Sequence, residues 1–125
     1  MAVETLLRID GLTKDYVMEG TFSFKREKKV IHAVDHVSFE IARSETLGIL
    51  GESGCGKTTL ARTVLLLTPP TSGEVILLGE KLTSLSESDL RRMRRHTGLV
   101  FQDPISSLDP RMKVREVIAE PLEIH

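Results

Sequence analysis

The stretch GESGCGKT, residues 51–58, holds the residue types and spacing best suited to chemistry. Gly51, Gly56, Lys57 and Thr58 fit the pattern G-x-x-x-x-G-K-[ST], a loop that cradles phosphate. Its glycines let the backbone turn where a Cβ would forbid it. Successive N–H groups then face inward as an anion nest. A helix opening at the end of the loop adds the positive end of its dipole. Lys57 would reach the β- and γ-phosphates of a nucleotide, and the Thr58 hydroxyl would ligate Mg2+. Cys55 lies inside the loop, where a helix N-terminus can lower a thiol pKa. The plainer reading is a small side chain tolerated where only the backbone N–H matters.

Such a loop needs a strand before it and a helix after it. TLGIL, residues 46–50, is a short apolar run bounded by glycine and reads as a strand buried on both faces. The helix is expected from near Lys57, with Leu60, Ala61, Val64, Leu65 and Leu67 on one side and Pro69 and Pro70 as its stop. Upstream, TLLRIDGLTKDY alternates at Leu7 and Ile9, and HVSFEI alternates at Val37, Phe39 and Ile41, as half-buried strands do. Between them, VMEGTFSFKREKKVIHA reads as a long hairpin connection with a solvated, charged tip.

Downstream, PPTSGEVILLGEKL reads as turn, strand, turn. LSESDLRRMRR opens a helix with Ser86 as N-cap, Asp89 as a weaker capping-box partner and Leu85 with Leu90 as a staple. Arg91, Arg92, Arg94 and Arg95 form a solvated face with cations toward the helix C-terminus. TGLVFQ reads as another buried strand. KVREVIAEPL puts Val114, Val117 and Ile118 on one stripe, limited by Pro121. Strands alternating with helices imply an α/β domain with a mainly parallel sheet, preceded by an antiparallel patch.

Composition narrows the class. A chain of 125 residues with 40% hydrophobic and 28% charged residues is one ordinary globular domain or part of one. A net charge of −1 gives no basic field to draw nucleic acid. No run of about 18 apolar residues suggests a membrane helix. MAVETLLRIDGLTKDY lacks the basic start and apolar block of a signal peptide. A lone cysteine excludes an internal disulfide and fits a reducing cytoplasm. His32, His36, His96 and His125 show no metal-ligand spacing.

Taken together, AVDHVSFEI, ETLGILGESGCGKTTLAR, PTSGEVILLGEKL and GLVFQDPISSLDPRM resemble the nucleotide-binding subunits of ABC transporters. GESGCGKTTLAR, FQDPISSLDPR and EVIAEPLEIH are most similar to the ATPase subunits of dipeptide, oligopeptide and nickel importers. The resemblance runs from Leu6 to His125. It implies a P-loop ATPase core of the ABC type with an antiparallel patch at its N-terminus. ATP and Mg2+ are the implied ligands. Tyr16 matches the aromatic that stacks on adenine, with Phe22 and Phe24 as weaker competitors. Gly51, Ser53, Gly54, Cys55, Gly56, Lys57, Thr58 and Thr59 match positions around the phosphates; Thr58 matches the Mg2+ ligand and Thr59 the α-phosphate contact. Gln102 matches the glutamine that touches Mg2+ or the attacking water and signals to membrane subunits. The implied partners are transmembrane permease subunits and a second ATPase subunit, with the protein on the inner face of the cell membrane. Direct membrane insertion and nucleic-acid binding are not expected.

Two departures qualify the resemblance. Lys113 stands where a Thr or Ser is frequent, and an ammonium cannot accept an N–H as a cap oxygen does, so the last helix would start less firmly or use another cap. No LSGGQ-like signature, apolar run ending in Asp-Glu, or matching switch histidine occurs within residues 1–125. The expectation is the N-terminal part of one nucleotide-binding domain that binds ATP and hydrolyses little or none by itself, because positioned water and charge stabilisation supply most of phosphoryl-transfer catalysis. Strand edges left open would make it prone to self-association.

Overall fold

A computed structural model of the chain describes residues 4–19 and 28–125. The chain divides into two compact units, 1–84 and 85–125. The first is built on two long antiparallel strands, β1 (Thr5–Glu19) and β2 (Lys28–Ala42). β3 (Ser72–Leu77) pairs antiparallel with the first half of β1, and the two-residue β4 (Glu80–Lys81) closes the order β2-β1-β3-β4. Alternation at Val37, Phe39 and Ile41 holds as expected, half-buried between exposed Ser38 and Glu40. Ile9, Leu12 and Val75 form the most deeply buried part of the sheet. Much of the expected hairpin connection is strand: β1 runs on through Tyr16 and Val17, paired with Ile31 and Val30. The tip, with Phe22 and Phe24, lies outside the described residues.

α1 (Lys57–Val64) lies against β1 and β2, with Leu60 and Thr63 buried. Its apolar face is narrower than the sequence suggests, since Ala61 and Leu67 are exposed. It also ends before Pro69. Leu66 adopts a left-handed conformation at φ 50°, and the N–H groups of Leu66 and Leu67 return to Thr63 O and Arg62 O. The last carbonyls are thus capped by a local turn, and the prolines follow it.

Two expected strands are not strands. TLGIL and the GLVF of TGLVFQ have no regular structure, and the sheet among the described residues is wholly antiparallel. No described strand pairs with either segment, so their main-chain groups have no ladder to join. An apolar run without a hydrogen-bonded neighbour has no reason to hold a strand.

The second unit contains α2 (Glu87–Met93) and α3 (Val114–Ile124). Ser86 caps α2 as expected, its Oγ accepting from Asp89 N–H at 3.2 Å. α3 starts at Lys113 through a different cap: the Glu116 carboxylate accepts the Lys113 N–H at 2.8 Å. This is the half of a capping box that needs no cap oxygen, and the Glu116 N–H turns instead to the Lys113 carbonyl at 2.8 Å. Pro121 does not end α3, which continues to Ile124 and forgoes the bond a proline cannot donate. Val114 and Ile118 are exposed on it.

Candidate functional site

The loop of residues 51–56 curls around the Lys57 ammonium. Its Nζ donates to Gly51 O at 2.7 Å and to Glu52 O at 2.6 Å, and lies 3.5 Å from Cys55 Sγ. The loop is tight: a Cβ at Gly51 would stand 2.7 Å from Cys55 Sγ. Gly54 turns the chain at φ 80° and Gly56 at φ 99°. Gly56 is also the N-cap of α1, and a Cβ there would lie 2.2 Å from Ala33 O. Glycine is required at that position by backbone conformation and by close approach to β2.

That approach depends on a bulge. Pairing steps from Lys14↔Val34 to Asp15↔His32, which leaves Ala33 as an extra residue in β2. The sheet therefore carries an irregularity where the phosphate loop meets it. Tyr16 pairs with Ile31, two residues along β2 from Ala33, so it sits within about 7 Å of that junction along the ribbon. The Tyr16 side chain is 42% exposed.

No side chain caps the start of α1, and the first intrahelical bond runs from Leu60 N–H to Gly56 O. The N–H groups from Gly56 to Thr59 have no intrahelical acceptor. Together with the Lys57 ammonium they form a donor set with a positive dipole end behind it. This chemistry fits a phosphate group and leaves the Thr58 hydroxyl exposed beside it. Thr59 O accepts the Thr63 hydroxyl at 2.7 Å, and Ser53 is an exposed loop residue. Gln102 belongs to the second unit, exposed at the head of a turn-rich stretch that runs to Met112. Here Ser106 N–H and Oγ bond Asp103, and Arg111 pairs with Asp109.

The family follows from comparison with known proteins. Residues 34–123, a span that includes the loop, Lys57 and Gln102, match the ABC transporter family. The chain belongs to that family. It is 42% identical over 123 residues to the oligopeptide transport ATP-binding protein AppF of Bacillus subtilis (strain 168), covering 98% of this chain and 37% of AppF. The chain spans about a third of the length of the curated relatives it matches, 34% and 37% for two of them. Its structure superposes on the dimeric bacterial ABC transporter cassette MJ0796 with a TM-score of 0.76 and 29% identity, over 94% of this chain and 47% of that one. A post-hydrolysis MJ0796 dimer bound to ADP and Pi gives a TM-score of 0.67 at 28% identity, over 94% and 55%. This chain superposes on these ABC cassettes as a partial α/β domain with an antiparallel sheet.

The bulge at Ala33 and the packing of Gly56 on it were not foreseen from sequence. Both join residues distant in sequence, Asp15 with His32 across the bulge and Gly56 with Ala33, and no local pattern announces them. Lys14 is a second omission: its ammonium is hydrogen-bonded and lies over the Tyr16 ring. Its position two residues before Tyr16 on a strand was a usable signal, since such residues share a face.

Proposed function

We propose that this chain binds MgATP as part of the motor subunit of an ABC importer whose cargo is oligopeptides or dipeptides. The observation that carries the reading is the loop wound around the Lys57 ammonium, with free N–H groups at the head of α1. Lys57 would hold the β- and γ-phosphates, with Gly51, Ser53, Gly54, Cys55, Gly56 and Thr59 contributing the surrounding backbone. Thr58 would hold Mg2+, whose charge would neutralise the phosphates, and Gln102 is a second candidate ligand carried by its own unit. Tyr16 would offer its exposed ring to the adenine. Gln102 would orient water and report the nucleotide state to a permease.

Peptide cargo is supported by the likeness to AppF, an oligopeptide transport protein. A nickel or other small-solute importer is the second reading, favoured by the same GESGCGKTTLAR and FQDPISSLDPR segments. The partners are permease subunits and a second ATPase subunit; a dimeric relative, MJ0796, supports the second of these. Among the described residues no helix is long and apolar enough to cross a membrane. Attachment to the inner face of the cell membrane would run through permease docking. Residues 1–125 would constitute the N-terminal part of one nucleotide-binding domain and hydrolyse ATP slowly or not at all by themselves.

Calorimetric titration with MgATP tests the site. Binding is expected in the parent and a loss of at least tenfold in affinity in Lys57→Ala, because a charge-assisted phosphate contact is removed. Equal affinity in the two would overturn the site. Turnover of residues 1–125 at the rate of an intact ABC subunit, abolished by Lys57→Ala, would overturn the binding-only description.

A further inference from the structure

Lys14 stands apart from the phosphate loop, and its ammonium makes two contacts that join distant parts of the chain. Nζ donates to Pro69 O at 2.8 Å and lies 5.2 Å from the centroid of the Tyr16 ring. Pro69 follows the turn that ends α1, the helix whose other end is the phosphate loop. Two further hydrogen bonds run alongside. Thr71 N–H donates to Thr13 O at 2.8 Å, and Asp15 N–H donates to Thr71 Oγ1 at 2.9 Å. Residues 13–15 are thus stapled to residues 69–71, one residue short of Tyr16.

These bonds fix where Tyr16 leaves the staple. They do not fix the ring, which stands on the strand face shared with Lys14. Tyr16 is 42% exposed, so its rotamer is not selected by full burial in a core. An ammonium held by a carbonyl supplies that selection, because the negative face of the ring is attracted to it. One face of the ring is then occupied by the cation, and a base would stack on the other.

We propose that Lys14 is a positioning residue for nucleobase binding: anchored on Pro69 O, it holds the Tyr16 ring in the orientation that a base stacks on. The proposal rests on the reading of Tyr16 as the base platform. The Lys14 ammonium is anchored on Pro69 O and not on the loop of residues 51–56, so its effect is expected on the base. It separates the energetics of base and triphosphate, which one loop would otherwise hold together.

The experiment compares MgATP with magnesium tripolyphosphate, which has the phosphates and no base, by calorimetry on the full chain. Lys14→Met should weaken MgATP by about 3- to 5-fold, the size of one partly exposed cation–π contact, and leave tripolyphosphate unchanged. Lys14→Arg, which keeps a cation over the ring, should restore most of the loss. Tyr16→Ala should weaken MgATP at least as much and spare tripolyphosphate. Unchanged tripolyphosphate affinity also reports that each variant is folded. Loss in Tyr16→Ala with none in Lys14→Met would overturn the role of Lys14 and leave the platform standing. Tighter MgATP binding in Lys14→Met would overturn it too, since Lys14 would then compete with the base. Equal losses for both ligands would assign Lys14 to the fold. No effect in Tyr16→Ala would remove the platform and the proposal with it.

Discussion

The two units of the chain are held together by different means. In the first, strands far apart in sequence meet: Leu7 pairs with Ile41 on one side and Leu77 on the other. Leu12 and Val75 lose all contact with water as a result. In the second, Leu90 is the one buried residue among those described, and the side-chain bonds join residues at most three apart: Ser86 with Asp89, Asp109 with Arg111, Lys113 with Glu116. The first unit gains from burial, which scales with apolar area. The second gains from caps and turns, each small and each independent of the rest. The phosphate loop is anchored on the first unit, where a Cβ at Gly56 would strike β2; Gln102 is carried by the second.

The sharpest way to break this contrast is a cavity. Leu12→Ala removes a side chain with no exposure at the crossing of β1 with β2 and β3. It should cost about 2–5 kcal/mol, read by denaturant unfolding followed through the sheet signal in circular dichroism. A cost under about 1 kcal/mol would show that the sheet is no tighter than the second unit. One step smaller is the cap of α2. Ser86→Ala should cost about 1 kcal/mol, confined to residues 86–93 and seen as lost amide protection there by hydrogen exchange. Loss spreading into β1 or β3 would mean that the two units share one cooperative structure.

A smaller effect again is expected where apolar character meets no partner. Leu50 is 96% exposed in the segment that precedes the phosphate loop. Leu50→Ser should change stability by less than about 0.5 kcal/mol, since no packing is lost. A cost near that of Leu12→Ala would place Leu50 in a core that the described contacts do not include.

Leu50 also marks the limit of what sequence reveals. The antiparallel strands were legible because their alternation is local: Val37, Phe39 and Ile41 announce a half-buried face by themselves. The phosphate loop was legible because its glycines and lysine act within eight residues. Ser86 was legible for the same reason. TLGIL and TGLVFQ were misread because an apolar run says only that burial is favourable; whether a ladder exists is decided by other strands. The end of α1 was misread because Leu66, a residue with no special tolerance for positive φ, makes the stopping turn that Pro69 was expected to make. Ala33 acts across the hairpin, where register and not local pattern decides who meets whom; Lys14 meets Tyr16 along one strand, but its anchor on Pro69 O lies far along the chain.

The smallest effect separates the units by acid. In the second unit Asp89 accepts the Ser86 hydroxyl and pairs with Arg92, and these bonds hold its carboxyl below the ordinary value of 3.8. Arg111, through side chain and backbone, does the same for Asp109. A carboxyl whose pKa is lowered by folding binds fewer protons in the folded state. Its contribution is therefore full above 3.8 and is lost as pH falls through the lowered value. Both carboxylates are solvent-exposed, so the effect on overall stability is slight and the site itself is the place to read it. Titration of the carboxyl carbon of Asp89 by NMR should give a midpoint below 3.8 that rises in Ser86→Ala. The α2 amides should loosen over the same pH range, while those of β1 and β3, whose hold comes from Ile9, Leu12 and Val75, stay protected. A midpoint at or above 3.8, or sheet amides that open together with α2, would remove the distinction between a unit held by burial and a unit held by its caps.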